Sequence, residues 1–529
     1  MTSKNDVREE YIKRLHLNGS DCRSLGEIYF DILKNDADPN KIALIDKFTK
    51  KQLNYGELLD ESLRVAEELK TLGIGKGDLV GIVSGNRPEF FVPVLSCFFI
   101  GATIHPTNGV YLLSELKDTF SISKPKIIFT TEENLKKVQQ LQADTDYIKN
   151  IINFDGNYLS IIRERSGLKR DEIVENSDHD SAVILSSSGT TGLPKGVVLT
   201  QNNIKCSFNY LKYPYIDLNP DNVLIGMMPY FHVFGFLLGI GNIRNLSLTV
   251  TLQKFQPNHY CEIIEEYNVT SLQIVPTIAV FLVNHPIVKN YDFSSVKDIL
   301  CGGAPLGAET QIFLKQRFNC KIRQMYGMTE TSGVICLMPI WKESKIGGVG
   351  KPFPWVDIKI IDIDTNEEMA SGGNGEVCAK TIQNTNGYLN MEEETTSMYL
   401  EDGYLRTGDI GYLDENGELF IVDRLKELIK YKGFQVPPAE LENILNSHEC
   451  IVDSGVIGIP DRRAGELPMA FVVKKDNADI TEEIIKEFVA GHVSAHKQLH
   501  GGVKFINEIP KGPTGKILRK NLRELAMTH

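Results

Sequence analysis

Residues 186–196 have the sequence Ser186-Ser187-Ser188-Gly189-Thr190-Thr191-Gly192-Leu193-Pro194-Lys195-Gly196, between two apolar patterns typical of buried strands, 182–185 and 197–199. The three glycines leave the backbone free to direct N–H groups at an anion, and five hydroxyl side chains add donors. Lys195 adds a charge suited to phosphate oxygens. Because Gly196 follows this lysine where a Walker A loop has Ser or Thr, we predict a phosphate loop of another kind. The alternative is a flexible Ser/Gly hairpin.

Apolar strand patterns alternate with amphipathic helical patterns on both sides of this loop. The strand patterns lie at residues 79–83, 126–130, 271–275 and 296–300. The helical patterns lie at residues 55–72, 260–267 and 308–318. Such alternation predicts parallel sheets covered by helices, which is an α/β fold.

The pattern changes after about residue 351. Alternating segments bounded by glycine, at residues 355–363, 375–379 and 418–422, indicate an antiparallel, barrel-like part. From about residue 425 the chain predicts a small α+β unit, with a helix at 438–446, a strand at 470–473 and a helix at 481–492.

The composition excludes several classes of protein. The chain has 529 residues, 42% of them apolar and 24% charged, which predicts two to four globular units. Lys and Arg total 57 against 69 Asp and Glu, and this net charge of -12 argues against nucleic acid or anionic membrane as a partner. The nine cysteines lack a C-x-x-C spacing, which predicts reduced, mostly buried thiols rather than disulfides or a zinc site.

We expect a cytoplasmic protein without a transmembrane segment. Residues 1–16 are charged throughout and lack the apolar centre of a signal peptide. The apolar run at residues 90–104 is shorter than the ~20 residues of a membrane span, so it predicts a buried core element. The sequence ends in Met527-Thr528-His529 rather than the S-K-L peroxisomal address, which favours the cytoplasm over the peroxisome.

Five further segments follow the phosphate loop in an order found in one known family. They are Gly302-Gly303-Ala304-Pro305, Tyr326-Gly327-Met328-Thr329-Glu330, Thr407-Gly408-Asp409, Asp423-Arg424-Leu425-Lys426 and Pro510-Lys511-Gly512-Pro513-Thr514-Gly515-Lys516. The set resembles the adenylate-forming superfamily, which includes acyl-CoA synthetases, 4-coumarate–CoA ligases, insect luciferases and peptide-synthetase adenylation domains. Residues 428–436 are most similar to the luciferase-like and 4-coumarate–CoA ligase-like branch.

The resemblance implies a fold and a domain organisation. Residues 1–423 are expected to form a large N-terminal AMP-binding adenylation domain, with two α/β sheet layers and a β-barrel subdomain. A hinge at residues 424–426, which includes Lys426, is expected to join it to a small, mobile C-terminal α+β domain of residues 427–529.

The resemblance also implies a nucleotide site that holds ATP. Its expected residues are Ser186, Ser187, Ser188, Gly189, Thr190, Thr191, Gly192, Lys195, Gly303, Ala304, Pro305, Tyr326, Gly327, Asp409 and Arg424. Tyr326 matches the family's adenine-stacking aromatic residue, and Asp409 matches its ribose acceptor, supported by Arg424. Without the resemblance, the alternative interpretation of Tyr326 is an ordinary half-buried aromatic residue, and that of Asp409 is a simple turn residue.

Four residues are expected to act in catalysis, namely Thr329, His232, Lys430 and Lys516, and Glu330 is expected to hold the metal. Thr329 matches the hydroxyl that reaches the α-phosphate, and Glu330 matches the carboxylate that holds Mg²⁺, a cation that prefers oxygen ligands. Lys516 matches the lysine that bridges the carboxylate and the α-phosphate region; its alternative is a surface lysine in a basic tail. His232 resembles a residue between the acyl pocket and the thiol tunnel, although a lone histidine among aromatic residues is more often a packed core residue.

A second half-reaction is expected to use another face of the small domain, since the family rotates this domain between steps. Lys430 and Gln435 match that face. Phe234, Gly302 and Val334 are expected to line the acyl pocket and favour an apolar acid, fatty or aromatic.

The resemblance implies an ATP-dependent acid–thiol ligase that uses ATP, Mg²⁺ and coenzyme A. The alternative is an insect luciferase, in which O2 oxidises a luciferin adenylate and light is emitted. Residues 331–335 read T-S-G-V-I where beetle luciferases typically carry T-T-S-A-I, and Lys212 is the nearest candidate for their pocket arginine. These departures favour the ligase. A catalytically silent nucleotide-binding relative is a third alternative, and it predicts the loss of Lys516, Glu330 or Asp409, all of which are present.

Overall fold

The computed structural model describes residues 23–188, 194–212, 214–475, 478–512 and 515–527. Its strands before residue 340 are β1 (Ile42–Asp46), β2 (Gln52–Asn54), β3 (Leu79–Ser84), β4 (Thr103–Asn108), β5 (Ile127–Thr130), β6 (Asn150–Asn153), β7 (Ser181–Ser188), β8 (Pro194–Thr200), β9 (Val223–Gly226), β10 (Leu248–Thr251), β11 (Ser271–Ile274), β12 (Asp298–Cys301), β13 (Lys321–Gln324), β14 (Tyr326–Met328) and β15 (Gly333–Cys336). The later strands are β16 (Val356–Ile361), β17 (Gly375–Thr381), β18 (Leu405–Leu413), β19 (Leu419–Arg424), β20 (Ile429–Tyr431), β21 (Phe434–Val436), β22 (Ile451–Asp461), β23 (Gly465–Lys474) and β24 (Val503–Phe505).

The α-helices lie between these strands. They are α1 (Leu25–Asp31), α2 (Tyr55–Thr71), α3 (Phe91–Ile100), α4 (Leu113–Ser123), α5 (Glu132–Ala143), α6 (Tyr158–Glu164), α7 (Gln201–Leu211), α8 (Val233–Arg244), α9 (Pro257–Tyr267), α10 (Pro276–Asn284), α11 (Ala308–Phe318), α12 (Glu392–Ser397), α13 (Pro438–Ser447), α14 (Glu482–Ala490) and α15 (Arg519–Met527). The alternation confirms the α/β class.

Three sheets of the N-terminal part are built mainly from parallel strands. The largest has the order β6-β5-β3-β4-β7-β8, with parallel neighbours except for the antiparallel pair β7 and β8. The second has the order β2-β1-β10-β9, and only β2 is antiparallel to its neighbour. The third, β11-β12-β13, is parallel throughout. Because parallel strands end at one edge of a sheet, the segments after β12 and β13 lie close together.

The helices next to the large sheet begin and end where the sequence provides caps. Asn54 accepts a hydrogen bond from the backbone N–H of Glu57 before α2, and the Glu57 side chain accepts one from the N–H of Asn54 in return. The apolar run expected to be a core element forms α3, all of whose residues are buried. Gly101 ends α3 at a φ of +72°, a left-handed conformation that favours glycine.

The part expected to be barrel-like is a four-stranded antiparallel sheet with the order β16-β17-β18-β19. The C-terminal part has its own sheet, β21-β20-β23-β22, with β24 parallel to β23, and its own hydrophobic core. The chain passes from one sheet to the other between β19 and β20, which is where the sequence predicts the hinge. The domain boundaries and the mobility of the small domain stay predictions.

Two further expectations concern the cysteines and the membrane. Eight cysteines within the described ranges are free thiols, and seven of them are buried, as their spacing predicted. No helix among the described residues combines the length and the apolar character needed to cross a bilayer.

Candidate active site

The described ends of the predicted phosphate loop, on β7 and β8, lie at a large cleft. In this antiparallel pair Ser186 lies opposite Gly196, and Ser187 lies opposite Lys195. Ser186, Ser187 and Lys195 line the cleft. The predicted loop residues Gly189, Thr190, Thr191 and Gly192 lie outside the described residues, as does the side chain of Ser188.

Tyr388 connects the phosphate-loop lysine to the predicted metal ligand. The Lys195 ammonium lies 4.7 Å from the centroid of the Tyr388 ring, a cation–π contact. The Tyr388 hydroxyl donates to Glu330 Oε1 at 3.0 Å. Burial raises the pKa of Tyr388, and the Glu330 carboxylate raises it further, so the phenol keeps its proton as a donor.

The sequence did not identify Tyr388, because its position depends on pairing between distant segments. The backbone N–H of Leu389 donates to the carbonyl of Gly196 at 2.8 Å, and that of Val198 donates to the carbonyl of Gly387 at 3.1 Å. These bonds place residues 387–389 against β8, beside Lys195. The hydrophobic periodicity of residues 387–389 does not predict such a contact.

Glu330 has the environment of a carboxylate that could hold Mg²⁺. Thr329 and Glu330 form part of a buried 3₁₀ turn, Thr329–Thr331, and both line the cleft. Tyr388 donates to Oε1 of this carboxylate. No group of three His, Cys, Asp or Glu able to hold a metal occurs in the described part of the chain. The oxygen donors of Glu330 and Thr329 fit Mg²⁺, which commonly takes one or two carboxylates and completes its shell with phosphates and water.

Tyr326, Asp409 and Arg424 form a hydrogen-bonded group across two sheets. The Tyr326 hydroxyl donates to Asp409 Oδ2 at 2.7 Å, and Arg424 Nε lies 3.1 Å from Asp409 Oδ1. Asp409 and Arg424 are direct cross-strand partners on β18 and β19. Asp409 raises the pKa of Arg424, so the guanidinium stays charged. The sequence thus identified three residues that the structure brings together.

Tyr326 lies just after β13 and begins a strand of its own. β13 stops at Gln324, and Tyr326 starts β14, which pairs with β15 in an antiparallel hairpin. The backbones approach closely there, since a Cβ on Gly327 would lie 1.9 Å from the carbonyl oxygen of Gly333. Only glycine fits at Gly327, and this contact turns the chain into the cleft.

Gly302 and Gly303 follow β12 and line the cleft together with Ala304 and Pro305. A Cβ on Gly302 would lie 2.8 Å from Met325 Cγ, and Gly303 has a φ of +84°. Both positions therefore favour glycine. Because neither residue has a side chain, a flat ring can approach the backbone closely at this part of the cleft wall.

His232 lies directly before α8, where its Nδ1 accepts a hydrogen bond from the backbone N–H of Phe234 at 3.3 Å. Burial lowers the pKa of His232 to about 3, and the nearby Lys516 ammonium lowers it further. The ring is therefore neutral at physiological pH, with its proton on Nε2. It lines the cleft beside Phe234, as does Val334 on the opposite hairpin.

The part of the cleft behind Val334 is apolar. Its wall contains Tyr210, Leu211, Ile216 and Leu237. A Cβ on Gly333, whose φ is +93°, would lie 2.3 Å from the Tyr210 hydroxyl oxygen, so this glycine maintains the pocket. Lys212, the candidate for a pocket cation, is exposed at the end of α7 and does not line the cleft.

The C-terminal part of the chain delivers Lys516 into the same cleft. A Cβ on the preceding Gly515 would lie 3.0 Å from Thr277 Oγ1 of the N-terminal part, so the two parts are in contact here. Burial, followed by the charge of Arg424, lowers the pKa of Lys516 to about 8. Lys516 thus lies among the residues predicted to bind the nucleotide rather than on a solvated tail.

Lys430 and Gln435 are not brought to the cleft. They are cross-strand partners on β20 and β21, and both are exposed. In this structure the C-terminal part directs the face that carries Lys516 towards the cleft, and Lys430 and Gln435 lie outside the cleft lining. The roles of Lys430 and Gln435 in a second step stay predictions. Lys426 is exposed and lies at the rim of the cleft.

Known proteins resemble this chain along almost its entire length. The AMP-binding enzyme model matches residues 34–389, and the AMP-binding enzyme C-terminal domain model matches residues 440–516. A luciferin 4-monooxygenase of Nipponoluciola cruciata is 38% identical over 502 residues, which cover 92% of this chain and 91% of the relative. The 4-coumarate–CoA ligase 3 of Arabidopsis thaliana is 38% identical over 496 residues, which cover 92% and 88%.

A solved structure agrees with these relatives. The ATP-bound MatB of Rhodopseudomonas palustris superimposes with a TM-score of 0.86 at 27% identity, over 95% of this chain and 99% of that one. The fold, the cleft and both family models agree: the chain belongs to the AMP-binding enzymes, the adenylate-forming superfamily that includes luciferases and 4-coumarate–CoA ligases.

Proposed function

We propose that this chain is an ATP-dependent acid–thiol ligase for acids with an apolar tail. In the first step a carboxylate oxygen attacks the α-phosphorus of ATP, the bond to the β-phosphate oxygen breaks, and acyl-AMP and pyrophosphate form. In the second step the thiolate of coenzyme A attacks the acyl carbonyl, and AMP leaves. The observation that carries the first step is the convergence of Lys195, Glu330, Asp409 and Lys516 on one cleft.

Each residue has a role that its surroundings support. Asp409 and Arg424 hold the ribose, and the open backbone at Gly302 and Gly303 faces the adenine. Lys195 neutralises the β- and γ-phosphates, while Lys516 stabilises the charge that develops at the α-phosphate. Glu330 and Thr329 would hold Mg²⁺ and the α-phosphate oxygens; Mg²⁺, when bound, offsets phosphate charge.

The apolar pocket supports the substrate class. Val334, Leu237, Ile216 and Tyr210 present no charged group, so a second carboxylate or an ammonium on the acid would be buried without a partner. Fatty or aromatic acids bury their tails there at no such cost. Neutral His232 lines the cleft beside Phe234 and lies near Lys516 of the C-terminal part.

Coenzyme A is the proposed second substrate, and O2 with light emission is the alternative. The luciferin 4-monooxygenase of Nipponoluciola cruciata and the 4-coumarate–CoA ligase 3 of Arabidopsis thaliana are both 38% identical to this chain, so percentage identity does not separate the two alternatives. The ligase is supported by residues 331–335, which depart from the beetle pattern, and by the position of Lys212, the candidate for the luciferase pocket cation, which is exposed and does not line the cleft.

The test is to incubate the purified protein with MgATP and a panel of acids, with and without coenzyme A, while AMP, acyl-CoA and photons are measured. AMP release that depends on coenzyme A, without light, is the expected result. Photons produced with a small-molecule extract would overturn the ligase proposal, and the absence of ATP–pyrophosphate exchange with any acid would overturn both alternatives.

Replacement of Tyr388 tests the connection between Lys195 and Glu330. We expect Tyr388→Phe to lower kcat/KM for ATP about tenfold, because a hydrogen bond to a charged carboxylate is worth roughly 1.5–3 kcal/mol when its donor is removed. Tyr388→Leu, which also removes the ring below Lys195, should cost several-fold more. Tyr404→Phe is the matched control, since Tyr404 donates to Asp357 away from the cleft. Equal rates for wild type and Tyr388→Phe would contradict this role.

The decrease in activity at alkaline pH should reflect the deprotonation of Lys516. Its pKa is about 8 instead of the ordinary 10.5, so the ammonium is charged below pH 8 and loses its charge as the pH rises through that value. We expect kcat/KM for ATP to fall above pH 8, by up to tenfold per pH unit. His232 has a pKa of about 3 and contributes no limb between pH 5 and 9.

Lys516→Arg is the control for this assignment. A guanidinium keeps its charge throughout this range, so the limb near pH 8 should disappear in the variant, whatever its maximal rate. A limb of the same midpoint in Lys516→Arg would assign the titration to another group.

A further inference from the structure

A buried histidine lies directly behind the phosphate-loop strand. His105 is on β4, next to β7 in the large sheet, and it is completely inaccessible to solvent. Its Nδ1 lies 2.7 Å from the hydroxyl oxygen of Ser123, at the end of α4, and its Nε2 lies 3.3 Å from that of Ser186. The Phe120 ring packs edge-on against it at 5.5 Å. The ring therefore connects a core hydroxyl to a hydroxyl that lines the cleft.

The positions of the protons in this chain of groups follow from burial. Desolvation lowers the pKa of His105 to about 3, so the ring is neutral, and one nitrogen donates while the other accepts. Ser123 is buried, with 3% of its surface exposed, and its short contact with Nδ1 is the hydrogen bond that the structure gives its hydroxyl. A buried O–H without an acceptor is costly, so Ser123 donates its proton to Nδ1.

This assignment leaves the Ser186 proton available. With Nδ1 accepting, the imidazole proton lies on Nε2, and it is donated to the oxygen of Ser186. The hydroxyl of Ser186 then accepts from the protein interior and keeps its own proton to donate on the other side, where Ser186 lines the cleft beside Lys195.

We propose that His105 is a positioning residue, which, together with Ser123, directs the Ser186 proton towards a phosphate oxygen of bound ATP. The proposal rests on the proposed function, since it takes the anion in the cleft to be ATP. If Ser123 loses its hydroxyl, Nδ1 loses its partner in either tautomer, so the preference for the proton on Nε2 weakens and the form with the proton on Nδ1 is also populated. Nε2 then accepts the Ser186 proton, and the phosphate loses a donor.

The competing explanation is that His105 only fills space between Phe120 and β7. In that case removal of the Ser123 hydroxyl changes stability but not the contact with ATP. A variant of Ser123 separates the two explanations better than a variant of His105, because replacing the whole buried ring risks unfolding through a cavity.

The experiment is a double-mutant cycle of Ser123→Ala and Ser186→Ala, with the affinity for MgATP measured by calorimetry in the absence of any acid. We expect Ser123→Ala to weaken ATP binding about five- to tenfold, the net effect of losing one typical hydrogen bond, because the Ser186 donor is lost only in part of the population. In the Ser186→Ala background the same substitution should change affinity less than twofold, since the proton it directs is absent. KM for the acid should not change in either case.

Two controls accompany the cycle. Ser123→Thr retains the hydroxyl and should bind ATP as the wild type does. Ser62→Ala removes another buried hydroxyl, which donates to the carbonyl of Leu58 in α2, and it should lower the thermal midpoint without changing ATP affinity.

The outcomes separate this inference from the proposed function. Wild-type ATP affinity in Ser123→Ala would overturn the inference alone, and so would an equal loss in both backgrounds, which indicates a purely structural effect. If the wild-type protein binds no MgATP, both the inference and the proposed function fail.

Discussion

Replacing Lys516 with alanine is expected to slow adenylate formation by about 10²-fold or more, the scale of losing one electrostatic stabiliser of a transition state. Lys516 reaches the cleft from the C-terminal part of the chain and lies near the charges of Asp409 and Glu330. Its effect should appear in kcat of ATP–pyrophosphate exchange, because the developing charge at the α-phosphate is absent from the ground state.

The second half-reaction provides the internal control. Acyl-CoA formation from pre-formed acyl-adenylate should proceed in Lys516→Ala at a rate within about threefold of wild type. The reason is that the expected rotation of the small domain moves this lysine out of the cleft before coenzyme A reacts. Lys430→Ala should show the opposite pattern, with normal exchange and slow thiolysis. Lys486→Ala, on an exposed face of α14, is the matched lysine control for both steps. A wild-type exchange rate in Lys516→Ala would remove Lys516 from the mechanism.

Much of the fold was predictable because hydrophobic periodicity is a local property. The helical pattern at residues 308–318 coincides with α11, Ala308–Phe318, and the strand pattern at residues 79–83 lies within β3, Leu79–Ser84. Each element is specified by spacing along a few turns or pleats, which a single sequence displays. The family motifs then identified residues that follow the ends of strands and line the cleft, such as Gly302 and Gly303 after β12.

What the sequence did not predict depends on contacts between distant segments. The turn of the chain into β14 at Tyr326 follows from the close approach of Gly327 to Gly333, and the place of Tyr388 follows from pairing with β8. The contact of Ser123 and Ser186 with the two nitrogens of His105 joins three separate elements. Side-chain hydrogen bonds of this kind leave no periodic signal in the sequence. The residue types of the site were therefore predictable, but the hydrogen-bond network that connects them was not.

Asp409→Asn should lower kcat/KM for ATP by about 10²-fold while the protein stays folded. The buried Asp409 carboxylate is the proposed acceptor for the ribose hydroxyls, and hydrogen bonds to a charged group are worth roughly 1.5–3 kcal/mol each. Asparagine keeps an oxygen for the Tyr326 hydroxyl, which donates to Oδ2 at 2.7 Å, but it loses the charge that pairs with Arg424. The measurement is the exchange rate as a function of ATP concentration, together with the thermal midpoint.

Asp409→Ala separates the binding role from the structural one. Both substitutions remove the carboxylate beside Arg424, but only alanine also removes the oxygen that accepts the hydrogen bond of the buried Tyr326 hydroxyl. We therefore expect a further loss of about 2 kcal/mol in the free energy of unfolding, which Asp409→Asn does not share. Asp402→Asn is the matched control, because its exposed pair with Lys359 lies outside the cleft and contributes little. If both Asp409 variants lose stability equally and bind ATP normally, Asp409 is a structural residue of the β18–β19 sheet and the ribose contact lies elsewhere.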